Sequence, residues 1–156
     1  MLNFKKATNF NNYRTSGHSS VVERLVANEK VEGSTPFARS KVMDDLIDKK
    51  CIPCEGGVKA FDISEIHKYQ KKVDGWDIVK DEKNTFLLEK KFKFKNFLES
   101  QKFVNNVGEI SEAEGHHPDI YYGWGFAKIN ITTHAIEGLS ENDFILAAKI
   151  DKIINV

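Results

Sequence analysis

The chain of 156 residues sets 23 Lys and Arg against 23 Asp and Glu, a formal net charge of zero that makes no global case for a nucleic-acid partner. Its length has room for one ordinary domain with a real core. No apolar run approaches the ~20 residues that a bilayer span needs, and the first residues lack a compact apolar stretch with a small-residue cleavage site, so neither a membrane anchor nor a secretory signal is expected and the expected location is cytoplasmic.

Residues 1–42 differ in kind from those that follow. They carry seven Lys or Arg against three Asp or Glu and mix Asn, Ser, Thr and Gly with scattered hydrophobics. Composition alone permits a disordered basic tail. A second reading comes from the nucleic acid. Gly33-Ser-Thr-Pro36 can be encoded by GGT TCG ACT CCN, like the T-arm of a transfer RNA, and Ser19-Ser-Val-Val-Glu-Arg-Leu25 by AGC TCA GTT GTA GAG CGC TTN, like a D-arm. The expectation is that residues 1–42 are a disordered or spurious extension, a translation through an upstream transfer-RNA gene. Met43 would then be the true start and residues 43–156 the domain.

The two cysteines stand in Cys51-Ile-Pro-Cys54. A redox pair or half of a zinc site are the chemical readings, but structural zinc takes four ligands and no second cysteine pair exists. A loop anchor beside the Gly56-Gly57 turn is the expectation.

Asp62 or Ser64 can cap a helix over residues 64–72, and Gly75 ends that segment. Trp76 and Ile78 alternate with polar neighbours as a first strand, and residues 81–84 form a polar turn. Phe86, Leu88, Phe92 and Phe94 share one parity, broken by Lys90, which predicts a strand with one buried face and a hairpin. Phe97, Val104, Val107 and Ile110 recur at helical spacing over residues 96–113. Gly115 suits a left-handed exit and Pro118 stops the helix from resuming. Tyr121, Tyr122 and Trp124 predict an aromatic strand, Gly123 and Gly125 a turn or bulge, and residues 126–133 a β-branched strand. That last strand has no proline and Lys128 as its one charge, so it is weakly protected against pairing with a second chain. Ser140 and Asp143 resemble a capping box before a final helix whose buried stripe is Leu146, Ile150, Ile153 and Ile154. The order helix-strand-strand-helix-strand-strand-helix predicts an α+β fold, a four-stranded antiparallel sheet with helices packed on one face.

Three of the five histidines fall between Glu112 and Asp143. Imidazole can give or take a proton near neutral pH without help, so the doubled His116-His117 before Pro118, with His134 downstream, points to proton-transfer chemistry. Glu112 is four residues before His116 at a helix exit, where its carboxylate can approach that ring if helical geometry persists. His116 and His117, adjacent in extended chain, should point to opposite sides. His134 shares parity with Lys128, Asn130 and Thr132, which puts it on the polar face or at the strand end. Taken singly, each histidine would be a satisfied structural or surface residue. Asp143 has a competing role as a helix N-terminal charge, and Trp124 one as core packing.

The full pattern is an acidic residue (Glu112), three spacers, His116-His117-Pro118, five spacers, an aromatic (Trp124), nine spacers, His134, eight spacers and Asp143. It resembles the signature of the pterin-4a-carbinolamine dehydratases, with every position filled, and Cys-x-Pro-Cys is similar to a feature near the start of bacterial members. The resemblance implies the same four-stranded antiparallel sheet backed by helices. It implies dehydration of a 4a-hydroxytetrahydropterin to the quinonoid dihydropterin, recycling the pterin of an aromatic amino acid hydroxylase such as phenylalanine hydroxylase. On that resemblance His116 and His134 are proton donors, His117 binds the pterin and helps move the N5 proton, Glu112 and Asp143 support them, and Trp124 contributes to the pterin pocket. No metal or organic cofactor is implied, since the pterin is the substrate. A homodimer joined through sheet edges, or a homotetramer, is implied as well. Two other readings stand beside it: a non-catalytic dimerisation cofactor of a transcription factor, as in animal relatives, and a tri-histidine metal site.

Overall fold

A computed structural model of the chain describes residues 45–52 and 58–154. The expectations for residues 1–42, Met43, Cys54 and Gly56-Gly57 lie outside the described residues. After a helical turn at residues 45–47, the elements are α1 (Ile63–Gln70), β1 (Asp77–Lys80), β2 (Phe86–Lys93), α2 (Phe97–Glu114), β3 (Asp119–Gly123), β4 (Phe126–Ile131), a 3-10 turn (His134–Ile136) and α3 (Glu141–Ile154). The four strands make one antiparallel sheet in the order β1-β2-β4-β3, the α+β architecture predicted.

That order corrects one expectation. Composition reads β4 as weakly protected against a second chain, yet it pairs with β2 on one side and β3 on the other. Ala127, Ile129 and Ile131 are fully buried because they face the core beneath the helices, while Phe126, Lys128 and Asn130 on the other face of the same strand are half-buried. β1 and β3 are the edges.

Local chemistry accounts for the element ends. Asp62, not Ser64, caps α1: its Oδ1 accepts from the N–H groups of Ser64 and Glu65, both at 2.9 Å, while Glu65 Oε2 accepts from the Asp62 N–H. The reciprocal pair satisfies donors that the first helical turn would otherwise leave unpaired. In the β1–β2 turn, Asp81 Oδ1 accepts from the N–H groups of Lys83 and Thr85, and Asn84 takes a left-handed φ of 65°. Asparagine tolerates that conformation better than most residues.

The parity break at Lys90 has a structural reason. The core residues Leu88 and Phe92 flank it on the helix-facing side of β2. Lys90 Nζ donates to Asp151 Oδ1 of α3 at 2.6 Å and also to the Asp74 carbonyl, and Trp76 Nε1 donates to Asp151 Oδ2 at 3.1 Å. Burial pushes the Asp151 carboxyl above its ordinary value, with Lys90 pulling the other way. A charge in the apolar series of β2 is thus one half of a pair that ties the sheet to α3.

The buried face of α2 is rotated from the predicted stripe. Ser100, Phe103, Val107 and Ser111 face inward, Val104 and Ile110 are partly covered, and Phe97 is exposed. Serine does not register as apolar in a periodicity reading, but these two hydroxyls donate to their own helix, at Asn96 O and Val107 O, four residues back. A hydroxyl satisfied within the helix can be buried without penalty, and its small size lets neighbouring elements approach. α3 is buried on more of its circumference than the predicted stripe: Phe144, Ile145, Leu146, Ala147, Ala148 and Ile150 all lie in the core, whereas Ile154 is exposed.

Candidate active site

The exit from α2 aims the paired histidines. Gly115 takes φ 63° and its N–H returns to Glu112 O, while the His116 N–H returns to Ser111 O at 3.1 Å. This two-bond closure reverses the chain at a left-handed residue, a conformation glycine adopts without steric cost. His116 is thereby turned inward and His117 outward, with 6% and 64% of their side chains exposed. Adjacent residues do point apart, as the sequence implied.

Their partners are not those predicted. Glu112 does not meet His116; its Oε2 lies 2.9 Å from His117 Nε2, at the surface. The left-handed Gly115 ends the helical repeat between them, so the four-residue geometry does not persist. His116 Nε2 instead lies 3.0 Å from Asp143 Oδ1, in the first turn of α3.

Asp143 is completely buried and both of its oxygens are engaged. Besides His116 at Oδ1, Oδ2 accepts from the Thr133 hydroxyl (2.8 Å), the Ser140 N–H (2.7 Å) and the Ser140 hydroxyl (3.1 Å). The Ser140 N–H bond is the backbone half of the capping arrangement read from the sequence, so Asp143 serves α3 and His116 together. A buried carboxylate is tolerated when its lone pairs are filled by donors, and here they are. Thr133 was missed by sequence reasoning because it shares parity with Ile129 and Ile131 and so reads as core.

The sheet register completes the gathering. Asp119 at the start of β3 stands opposite Asn130 near the end of β4. The turn carrying His116 and His117 therefore adjoins the exit of β4, which continues through Thr133 into His134. His134 is exposed in the 3-10 turn, and a bridge between Thr133 and Gly138 closes that loop. Glu112, His116, His117, His134 and Asp143 thus occupy one end of the sheet. Trp124 does not join them. It lies in the β3–β4 turn, 73% exposed, with the five residues of β3 between it and the histidines, on the order of 16 Å at ~3.3 Å per residue. Within one chain it cannot share their pocket.

Beside the site, Cys51 holds its segment against the two helices. Its N–H donates to Glu114 Oε2 at 2.9 Å, and Asn142 grips Ile52 through both amide atoms, at 3.0 and 2.7 Å. Burial, reinforced by Glu114, pushes the Cys51 thiol up to about 12. Such a thiol is a poor nucleophile and ligand, in keeping with an anchor. Among the described residues no group of three His, Cys, Asp or Glu side chains is arranged to hold a metal ion, and no helix is long and apolar enough to cross a membrane.

Known proteins are similar to this chain in sequence and in fold. A family model described as pterin 4 alpha carbinolamine dehydratase matches residues 59–153. A protein of Rubrobacter xylanophilus, named provisionally as a pterin-4-alpha-carbinolamine dehydratase, is 45% identical over 111 residues, covering 71% of this chain and 100% of its own. One of Halorhodospira halophila, with the same provisional name, is 47% identical over 108 residues, covering 69% of this chain and 96% of its own. The crystal structure of a transcriptional coactivator/pterin dehydratase from Brucella melitensis superposes with a TM-score of 0.55 at 25% identity, covering 61% of this chain and 98% of that one. With the family model spanning more than half of the chain and relatives matched over nearly their whole length, this chain belongs to the pterin-4a-carbinolamine dehydratase family.

Proposed function

We propose that the protein dehydrates a 4a-hydroxytetrahydropterin, tetrahydrobiopterin-derived in the simplest case, to the quinonoid dihydropterin. The observation that carries this reading is the convergence of His116, His117 and His134 at one end of the sheet from two separate chain segments. The elimination requires the 4a-hydroxyl to leave as water and the N5 proton to depart. One imidazolium donates a proton to the hydroxyl, the C4a–O bond breaks, and a neutral imidazole accepts the N5 proton, so no net proton is consumed. Positioned acid–base groups of this kind are typically worth about 10²–10⁴ in rate. In this assignment His116 and His134 donate toward the carbinol centre, and exposed His117, held by Glu112, binds the pterin and takes the N5 proton. Asp143 supports His116 from behind.

The pterin is the substrate, and the reaction uses neither metal nor organic cofactor; stoichiometric zinc in the purified protein would overturn that. The enzyme would act in the cytoplasm as a homodimer or homotetramer, downstream of an aromatic amino acid hydroxylase such as phenylalanine hydroxylase. Since β1 and β3 are the sheet edges, any edge-to-edge pairing uses one of these and not β4. The Brucella melitensis protein is described as a transcriptional coactivator as well as a pterin dehydratase, which favours a binding role as the second reading. A pure scaffold has no need of Glu112, three motif histidines and Asp143 together, and so catalysis is preferred. Stopped-flow decay of 4a-hydroxytetrahydropterin with and without the protein tests it. Acceleration is expected, and unchanged decay would leave the binding role.

A further inference from the structure

Asp143 Oδ2 receives three donors, from Thr133 and Ser140, and every one of these groups is at least 98% buried. Its other oxygen faces His116 Nε2 alone among the hydrogen bonds described. The physical consequence concerns where the His116 proton sits. With Oδ2 saturated by donors and the carboxylate at the N-terminal turn of α3, negative charge on Asp143 is stabilised. An ionised carboxylate only accepts hydrogen bonds. The nitrogen facing it must then carry the hydrogen, and the other ring nitrogen keeps its lone pair when the ring is neutral.

We propose that Thr133 and Ser140 are positioning residues that act through Asp143, keeping the His116 Nε2–H on the carboxylate so that Nδ1 is the nitrogen offered to the substrate, bare in the neutral ring and carrying the donated proton in the imidazolium. The arrangement is a hydroxyl pair, a carboxylate and an imidazole in series, with Thr133 Oγ1 and Ser140 Oγ themselves 3.1 Å apart. It explains why a threonine stands where the alternation of β4 calls for an apolar residue. Its catalytic consequence rests on the dehydratase reading; the assignment of the ring proton does not.

The test therefore has two readouts. Long-range proton–nitrogen correlation spectra of the full chain, labelled with 15N-histidine, report which ring nitrogen is protonated. They are recorded about two units above the ordinary histidine value of ~6.5, with His116 assigned by its loss in His116→Gln. The wild type should show a protonated Nε2 and an unprotonated Nδ1 at His116. Thr133→Val keeps the side-chain shape and removes the donor. It should move the His116 signals toward a mixture of both forms and lower kcat roughly tenfold at unchanged KM, the rate equivalent of one hydrogen bond to a charged group. Thr133→Ser should restore both. Wild-type His116 protonated at Nδ1 would overturn the proposal, as would a folded Thr133→Val with wild-type ring signals and kcat. Should Thr133→Val not fold, the wild-type spectrum and Ser140→Ala, which keeps the Ser140 N–H, decide by the same criteria. Failure of the dehydratase reading looks different: wild type would not accelerate pterin decay, while a Thr133-dependent Nε2–H signature would still support the positioning roles.

Discussion

Among the site's acid–base side chains, His117 is exposed and Asp143 fully buried, and their substitutions should fail in different ways. His117 is 64% exposed and touches Glu112 at the surface. His117→Ala should leave thermal stability within about 0.5 kcal/mol of wild type, as surface substitutions do. On the role proposed for it, its loss should slow dehydration by about 10² or more, read by stopped flow. A variant that melts far below wild type yet turns over normally would show that the residue is structural. Asp143→Ala should do the reverse to the fold. It strands the Thr133 hydroxyl, the Ser140 N–H and the His116 ring in a buried space, at about 1–3 kcal/mol for each unsatisfied group. A loss of at least ~3 kcal/mol in chemical denaturation is expected, together with loss of activity. The gathering of imidazoles in the Glu112–Asp143 span was legible in the sequence, since they can be counted at motif spacing. Which carboxylate meets which ring was not, because one left-handed glycine redirects both histidines.

At the level of elements, Lys90 is the instructive case. Removing one member of a buried pair leaves a desolvated charge, typically a loss of about 3–5 kcal/mol, while replacing both with apolar groups is often neutral. Lys90 and Asp151 are 19% and 4% exposed, so Lys90→Met should cost about 3 kcal/mol, toward the lower end of that range. The double variant Lys90→Met with Asp151→Leu should recover most of it in urea denaturation. A double variant no better than the single would mean that the bonds to the Asp74 carbonyl and from the Trp76 N–H, both lost in it, matter as much as the ion pair. Helix and strand positions were readable from periodicity because 3.6- and 2-residue repeats belong to the local chain. The inward faces were less so: Ser100 and Ser111 on α2 and Lys90 on β2 are polar residues whose partners make burial possible.

For the whole molecule, acid sensitivity follows from ion pairs that bind the helices and the Cys51 segment together. Burial raises the Glu114 carboxyl, but hydrogen bonds from Lys149 and the Cys51 N–H outweigh it and leave it below its ordinary value of 4.5. Glu141 is held below the same value, burial again opposed and outweighed, here by Lys49 and Tyr69. A carboxyl depressed on folding contributes stability that is complete above its unfolded value and lost as pH falls through the folded one. Asp151 is raised, so its contribution has the opposite sign, largest below the ordinary aspartate value and lost as pH rises through its folded value. The melting temperature should therefore fall as pH drops below about 4.5, and Lys149→Met should flatten that fall. A variant curve parallel to wild type would show that the Lys149–Glu114 pair contributes nothing across this range.

By itself, the sequence determined the order of elements, the α+β class and the thirty-residue pattern of acids, histidines and aromatic that carries the family, because local propensity, capping and spacing are properties of contiguous chain. Only the tertiary structure decided that β4 lies inside the sheet, that Trp124 stands at the far end from the histidines, and that His116 answers to Asp143 and Thr133 while Glu112 answers to His117. Those outcomes depend on strand order and on the placement of α3 against the exit of β4. They are set by burial among residues distant in sequence, which no local repeat encodes.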